Sequence, residues 1–305
     1  MKKAIKNIRN GLLSLVLAGS VASAEEYTIG PETDIWKFFN KVSNATVYLE
    51  NGIYDYPIDD GRVPQQTILN GITLKAKNPY TLLEDMDIDT EFKIVTESCA
   101  IIKRPIYLMD NSSVEGIVQD GSSQEYENPF VTKGKNTSIK NCFIENIDAG
   151  IIIESESRDT LIKGNIITRC SSMGIFYGKP PEDCRVLVTE NHIVGNHRFG
   201  ILFDGFINLG SKEVRGNNVI GRNAEKNVFS GCYQVVPAEF NSWYDKDGNF
   251  LTDRIDIEDT IRTPTQQANE LTQMLSNESL VDVVPFNTQN PYGKTSHVNT
   301  WVMYE

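Results

Sequence analysis

Short apolar runs rich in β-branched residues recur through the middle of the chain, as in Thr160-Leu-Ile-Lys163, Arg185-Val-Leu-Val-Thr189 and Lys212-Glu-Val-Arg215. They are too short for helices and are bounded by Gly and Asn, so each predicts a strand between tight turns. Two further elements keep step with them. Asn141-Cys-Phe-Ile-Glu-Asn146, Asn165-Ile-Ile-Thr-Arg-Cys170, Asn191-His-Ile-Val-Gly-Asn196 and Asn218-Val-Ile-Gly-Arg-Asn223 stand under one another, their first asparagines 24, 26 and 27 residues apart. Gly150-Ile-Ile-Ile153, Gly174-Ile-Phe-Tyr177 and Gly200-Ile-Leu-Phe203 follow at intervals of 24 and 26. A unit of ~25 residues with several strands cannot bury its own apolar face, so units must stack ~4.8 Å apart and build parallel sheets along a solenoid. Ile151, Ile175 and Ile201 then lie above one another inside, with Ile153, Tyr177 and Phe203 beside them, and alternation turns Ile152, Phe176 and Leu202 outward. Asparagine at the corners tolerates left-handed backbone and can form side-chain ladders between coils. Leucine-rich repeats have a similar length but need Leu at fixed positions, which this chain lacks, and parallel crossovers favour a right-handed coil.

The ends read as covers for an open solenoid. Ile35, Phe38, Phe39 and Val42 follow helical spacing behind Thr33 and predict an amphipathic helix that protects the first edge. Thr46-Val-Tyr-Leu49 and Asn51-Gly-Ile-Tyr54 then begin the first coil. Phe240-Asn-Ser-Trp-Tyr244, the apolar positions from Arg254 to Ile261, and Val281-Asp-Val-Val-Pro-Phe286 form a closing segment. A helix from Pro264, capped by Thr263 and with Ala268, Leu271 and Leu275 on one face, interrupts it. With these motifs the chain resembles the right-handed parallel β-helix proteins of the pectate-lyase-like superfamily, particularly the periplasmic copper-processing type of repeat (Asn-x-Ile, then Gly-Ile-x-Leu). The resemblance implies an all-β, right-handed single-stranded parallel β-helix with an N-terminal capping helix and an irregular, helix-containing C-terminal cover. Its parts are a signal peptide over 1–24, a cap over 25–44, repeats over 45–235 and the closing segment over 236–305.

Charge and composition narrow the setting. Lys2, Lys3, Lys6 and Arg9, the apolar stretch Leu12 to Ala18 and the small residues Ala22-Ser-Ala24 read as a secretory signal, which predicts a periplasmic or extracellular protein. The apolar stretch is too short to span a membrane. The chain holds 29 Lys+Arg and 41 Asp+Glu, and removal of residues 1–24 leaves 25 against 41. So acidic a surface opposes nucleic-acid binding, which needs a basic face. Five cysteines, Cys99, Cys142, Cys170, Cys184 and Cys232, with no CxxC pair, indicate neither a zinc site nor a complete disulfide framework. Cys170 and Cys184 flank a loop and either bridge it or pack as small buried hydrophobes.

Candidate chemistry is sparse. Gly-His-Gly, Asn-Thr-Asp and Arg-Ile-Lys are absent, and so is the Arg-x-Pro-x-x-Arg arrangement of many pectate lyases, so the resemblance carries over no activity. The outward column offers a surface for a polysaccharide: a sugar stacks on Phe176, while Asp148 and Glu154 take hydroxyls. Arg198 pairs a uronate carboxylate or takes its C5 proton, and Asp204 is the second catalytic candidate. The competing reading lays the helix after Pro264 across the column and has Arg198 bridge Glu154 or Asp204. Asp85, Asp87, Asp89 and Glu91 alternate along one strand face, as ligands for calcium or as a solvated edge. Asp245-Lys-Asp-Gly-Asn249 begins like a calcium loop but lacks its glutamate, position twelve being Asp256, and reads as a hairpin turn. His192 and His197 are five apart, which suits no ligand pair; His192 falls in the turn register, and His197 is a candidate for proton transfer. His297 lies in the tail. The function expected is recognition, or cleavage, of a polysaccharide. The alternatives are a non-catalytic structural or adhesive protein and a periplasmic metal-loading accessory, the last without the His, Met or Cys cluster that suits copper.

Overall fold

The computed structural model describes residues 6–7, 24–55, 66–79, 99–121, 129–178, 185–230, 236–252, 261–262 and 281–282. Within them the chain winds through three sheets of eight, nine and eight strands, parallel except at one terminal hairpin, in the manner of a parallel β-helix. Each middle coil contributes one strand to each sheet. Ser138–Lys140, Thr160–Lys163 and Val186–Thr189 stack in the first sheet, Phe143–Glu145, Ile166–Thr168 and His192–Val194 in the second, and Ala149–Ile153, Met173–Tyr177 and Phe199–Phe203 in the third.

The inward register expected from alternation holds. Ile151 pairs with Ile175 and Ile175 with Ile201, and Ile153, Tyr177 and Phe203 form the neighbouring column. All six are fully buried. A column of Ile144, Ile167, Ile193, Ile220 and Trp243 faces them from the second sheet. The recurring glycine of the third sheet has a packing cause. A Cβ on Gly174 would lie 2.7 Å from the carbonyl oxygen of Gly200 in the next coil, closer than a carbon atom tolerates.

The asparagines divide into two kinds, and this corrects the alignment of the first repeat. Phe143 pairs with Ile166, so Cys142, rather than Asn141, lies over Asn165, and the first interval is 23 residues. Asn141 belongs to the corner column of Gly164, Glu190 and Asn217, all with left-handed backbone at φ 52°, 67°, 60° and 49°. Asn165, Asn191, Asn218 and Asn241 instead form a buried ladder, each amide donating to the next asparagine's Oδ1 at 2.9, 3.1 and 2.8 Å. A second buried ladder runs through Asn196 and Asn223 at 2.9 Å and on to Asn227 at 3.0 Å.

The helix Ile35–Phe39 covers the first coil with Ile35 and Phe39 buried and Phe38 and Val42 packed beside them. Asp34 caps it by accepting from the Lys37 amide at 3.1 Å. The first sheet also begins earlier than expected, because Glu25–Ile29 pairs along Ala45–Leu49. At the other end Ser242–Tyr244 extends the second sheet and turns back on Phe250–Leu251. The Asp245 carboxylate closes that turn by accepting from the amides of Asp247 at 2.9 Å and Asn249 at 2.7 Å, the hairpin reading of this loop. Lys212–Arg215 is not a strand. Its single apolar residue, Val214, is 40% exposed, and Asn208 takes the place beside Leu187.

Ile261–Arg262 and Val281–Asp282 add short parallel pairings. Apart from Lys6–Asn7, whose backbone pairs with Tyr27–Thr28, and Ala24, the proposed signal segment lies outside the described residues, as do Asp85, Asp87, Asp89, Glu91, the helix after Pro264, Cys184, Cys232 and His297. Among the described residues no helix is long and apolar enough to cross a membrane.

Candidate functional site

Strand alternation places one apolar residue of each coil on the outer face of the third sheet. The register joins Ile68, Tyr107, Val131, Ile152, Phe176, Leu202 and Phe229 into one column. Ile152, Phe176 and Leu202 are half-buried, as outward residues on a sheet should be. Ala149, Met173 and Phe199 form a second row beside it, and the Phe199 ring lies 5.2 Å from that of Phe229.

Charged groups border this face on both edges. Arg198 donates from Nε to Glu225 Oε1 at 2.8 Å, and its guanidinium lies 5.1 Å from the centre of the Phe199 ring. The Glu225 hydrogen bond, with the Coulombic pull of Glu225 and Asp148, raises its pKa further, so Arg198 is an anion partner and a poor proton acceptor. Asp148 accepts from the Ser171 hydroxyl at 2.8 Å on the same edge. On the opposite edge Glu154 pairs with Lys133 at 3.5 Å, and Asp204 is exposed, its amide bonded to the Tyr177 carbonyl at 3.0 Å. The structure therefore brings Asp148 and Arg198 to one edge and Glu154 and Asp204 to the other, with Phe176 between. The expected bridge from Arg198 to Glu154 or Asp204 does not form. Coil stacking places Glu225 beside Arg198 instead, whereas the other two stand beyond the far end of the strands. Reasoning along the sequence missed Glu225, Phe199 and Phe229. Their signal was available in the period: Glu225 follows Arg198 by 27 residues, one coil, and Phe199 directly precedes its repeat glycine.

The histidines separate. His197 is exposed at a corner. His192 is not in a turn. It opens the strand His192–Val194 and stacks outward between Ile166 and Val219 on the second sheet. Burial there lowers its pKa to about 4, below the ordinary value of about 6.5. Because the folded pKa is the lower one, the stabilisation is complete above about pH 6.5 and is lost as pH falls towards 4. Stability should decline over that window by up to about 1.4 kcal/mol per pH unit from this group, and His192→Asn should flatten the slope. Urea unfolding at several pH values, with the His192 ring titrated by NMR, checks both; an unchanged slope in the variant would locate the titration elsewhere.

Donors for a metal are scattered. Among the described residues no three His, Cys, Asp or Glu side chains gather closely enough to hold an ion. Cys99, Cys142 and Cys170 are buried and in no disulfide, which removes the Cys170–Cys184 bridge. Burial pushes the Cys142 thiol up to about 12 and Cys170 higher still, so neither is a thiolate at neutral pH. This donor set does not fit a copper centre, which needs accessible thiolate, thioether or imidazole groups converging on one point.

In comparison with known proteins, the family model described as "Periplasmic copper-binding protein (NosD)" matches residues 40–234. No curated protein and no solved structure matches the chain. The periplasmic setting of the family agrees with export of this chain. The matched region is 195 of 305 residues and takes in the stacked coils from the end of the first helix to beyond the strand Lys226–Ser230, so the protein belongs to the periplasmic copper-binding (NosD) family of right-handed parallel β-helix proteins.

Proposed function

We propose that this protein is a periplasmic accessory of copper handling that works as a rigid β-helical scaffold, supporting the loading of a copper protein without enclosing the metal in its own coils. The observation that carries this reading is the family match over the coils, combined with a donor set among their described residues that suits packing better than ligation. A solenoid held by stacked apolar columns and buried amide ladders is stiff, and stiffness suits the positioning of a partner along a flat face. Cells lacking the protein are expected to make their periplasmic copper proteins in normal amount but with reduced copper content. Full copper occupancy in such cells, measured by mass spectrometry on the purified proteins, would remove the reading.

A second reading is favoured by the outward column. Phe176 and Phe229 alternate with aliphatic residues at the coil spacing, and Arg198, Asp148, Glu154 and Asp204 stand at the edges, an arrangement that suits an extended polysaccharide. Arg198 would pair a carboxylate of the sugar, and Phe176 would stack on its apolar face. Protonated and held by Glu225, Arg198 serves binding better than proton abstraction, which favours recognition without cleavage. A panel of polyuronides and neutral glycans, with and without calcium, tests this through binding and through the absorbance of an unsaturated product. Phe176→Ala should weaken any such binding at least tenfold, and an unaffected variant would show that the glycan binds elsewhere.

A further inference from the structure

We infer that Cys142 and Cys170 are the first rungs of the two asparagine ladders, with the thiol in the role of the amide, and that the coils of this protein hold copper through neither of them. The second half rests on the copper-accessory reading; the first stands without it.

The register identifies the positions. Cys142 occupies in its coil the place of Asn165, Asn191 and Asn218, and its backbone N–H is received by Asn165 Oδ1 at 2.9 Å. The same contact joins Asn165 to Asn191 at 2.9 Å and Asn191 to Asn218 at 3.0 Å. Cys170 bears the same relation to Asn196, whose Oδ1 receives the Cys170 N–H at 3.1 Å, as Asn223 Oδ1 receives that of Asn196 at 3.1 Å.

The thiols also copy the side-chain bonds of the ladder. Asn191 donates from Nδ2 to the carbonyl two residues earlier, that of Thr189, at 2.9 Å. Cys142 donates from Sγ to the carbonyl of Lys140 at 3.2 Å, and Cys170 to that of Thr168 at 3.7 Å, again two residues earlier. An asparagine rung accepts the amide of the coil before it. The Cys142 sulfur stands against the Ile117 amide and the Cys170 sulfur against the Ile147 amide, which are the corresponding positions one coil back. A thiol is a weaker donor and a weaker acceptor than a carboxamide, so each ladder fades out at its cysteine. Both groups are buried inside the solenoid and neutral, committed to neighbouring backbone, and in no position to meet a metal ion arriving from solvent.

The substitution Cys→Asn separates a rung from a ligand, because it restores the full amide and deletes the thiol. Cys142→Asn and Cys170→Asn should each raise Tm by a few degrees, and Cys142→Ala and Cys170→Ala should lower it. Titration of the signal-free protein with Cu(I) against a coloured chelator should give the same copper stoichiometry and affinity for wild type and for the folded double Asn variant, including no binding in both. A fall in Tm for both Asn variants would overturn the rung assignment. Loss of a copper equivalent in the folded double variant would overturn the exclusion of these thiols as ligands. Neither result depends on the copper content of partner proteins in cells, so the accessory reading fails or stands separately.

Discussion

Replacing Ile175 by Asp should unfold the middle of the solenoid. The side chain is fully buried and sits between Ile151 and Ile201 in the inner column, with Tyr177 on its own strand. A carboxylate there would enter the cluster of buried apolar side chains. Its desolvation without a partner puts the loss at about 4 kcal/mol or more, a large part of the stability of a typical domain. Each coil supports the next, so the damage should spread to the coils on either side instead of staying within one repeat. A melting curve followed by circular dichroism, with hydrogen exchange to map the extent, is the measurement. A variant melting within a few degrees of wild type would mean that residue 175 is not inside.

Asn191→Ala is the second large effect, and its cause is polar. Asn191 Oδ1 accepts both the backbone N–H and the side-chain amide of Asn165, each at 2.9 Å. Its own amide donates to the carbonyls of Ile162 and Thr189 at 2.9 Å and to Asn218 at 3.1 Å. Truncation leaves two donors and one side-chain acceptor without this partner in a place that water does not reach. At about 1 to 3 kcal/mol for each unsatisfied buried group, the total is about 3 kcal/mol or more. Asn191→Asp keeps the oxygen but removes the donors and adds a buried charge, so it should be at least as damaging. By contrast Asn141→Ala, at the exposed left-handed corner, should cost only about 1 kcal/mol for the φ of 52°. Comparable losses at Asn141 and Asn191 would erase the distinction between corner and ladder asparagines.

The chain belongs to a family described as copper-binding, yet among the described residues of its coils no group of side chains gathers to hold a metal ion. In the described coils the three cysteines are buried, and the two histidines lie on different surfaces, His192 packed on the second sheet and His197 at a corner. What the coils do present is an outward apolar column with Arg198 and Glu225 paired at one edge and Lys133 and Glu154 at the other. Exposed ion pairs of this kind contribute little to stability, because water screens both charges.

Much of this was legible in the sequence because it is local. The period, the strands and the inward set Ile151, Ile175 and Ile201 follow from alternation and from the repeated Gly-Ile, which depend on neighbouring residues alone. The outward set of Ile152, Phe176 and Leu202 follows with them. What needed the tertiary structure was the alignment of one coil on the next. Coils of different length differ in how many residues their corners use, and that number is set by left-handed residues such as Asn141, Gly164 and Glu190, which any sequence alignment by type places poorly. So the sequence could not tell that Cys142 rather than Asn141 stands over Asn165, or that Arg198 meets Glu225 rather than Asp204. Strand direction and side-chain alternation are properties of a few adjacent residues. Which side chains become neighbours across coils, and hence the ladders, the edges of the third sheet and the burial of His192, is decided only when the corners have fixed the register.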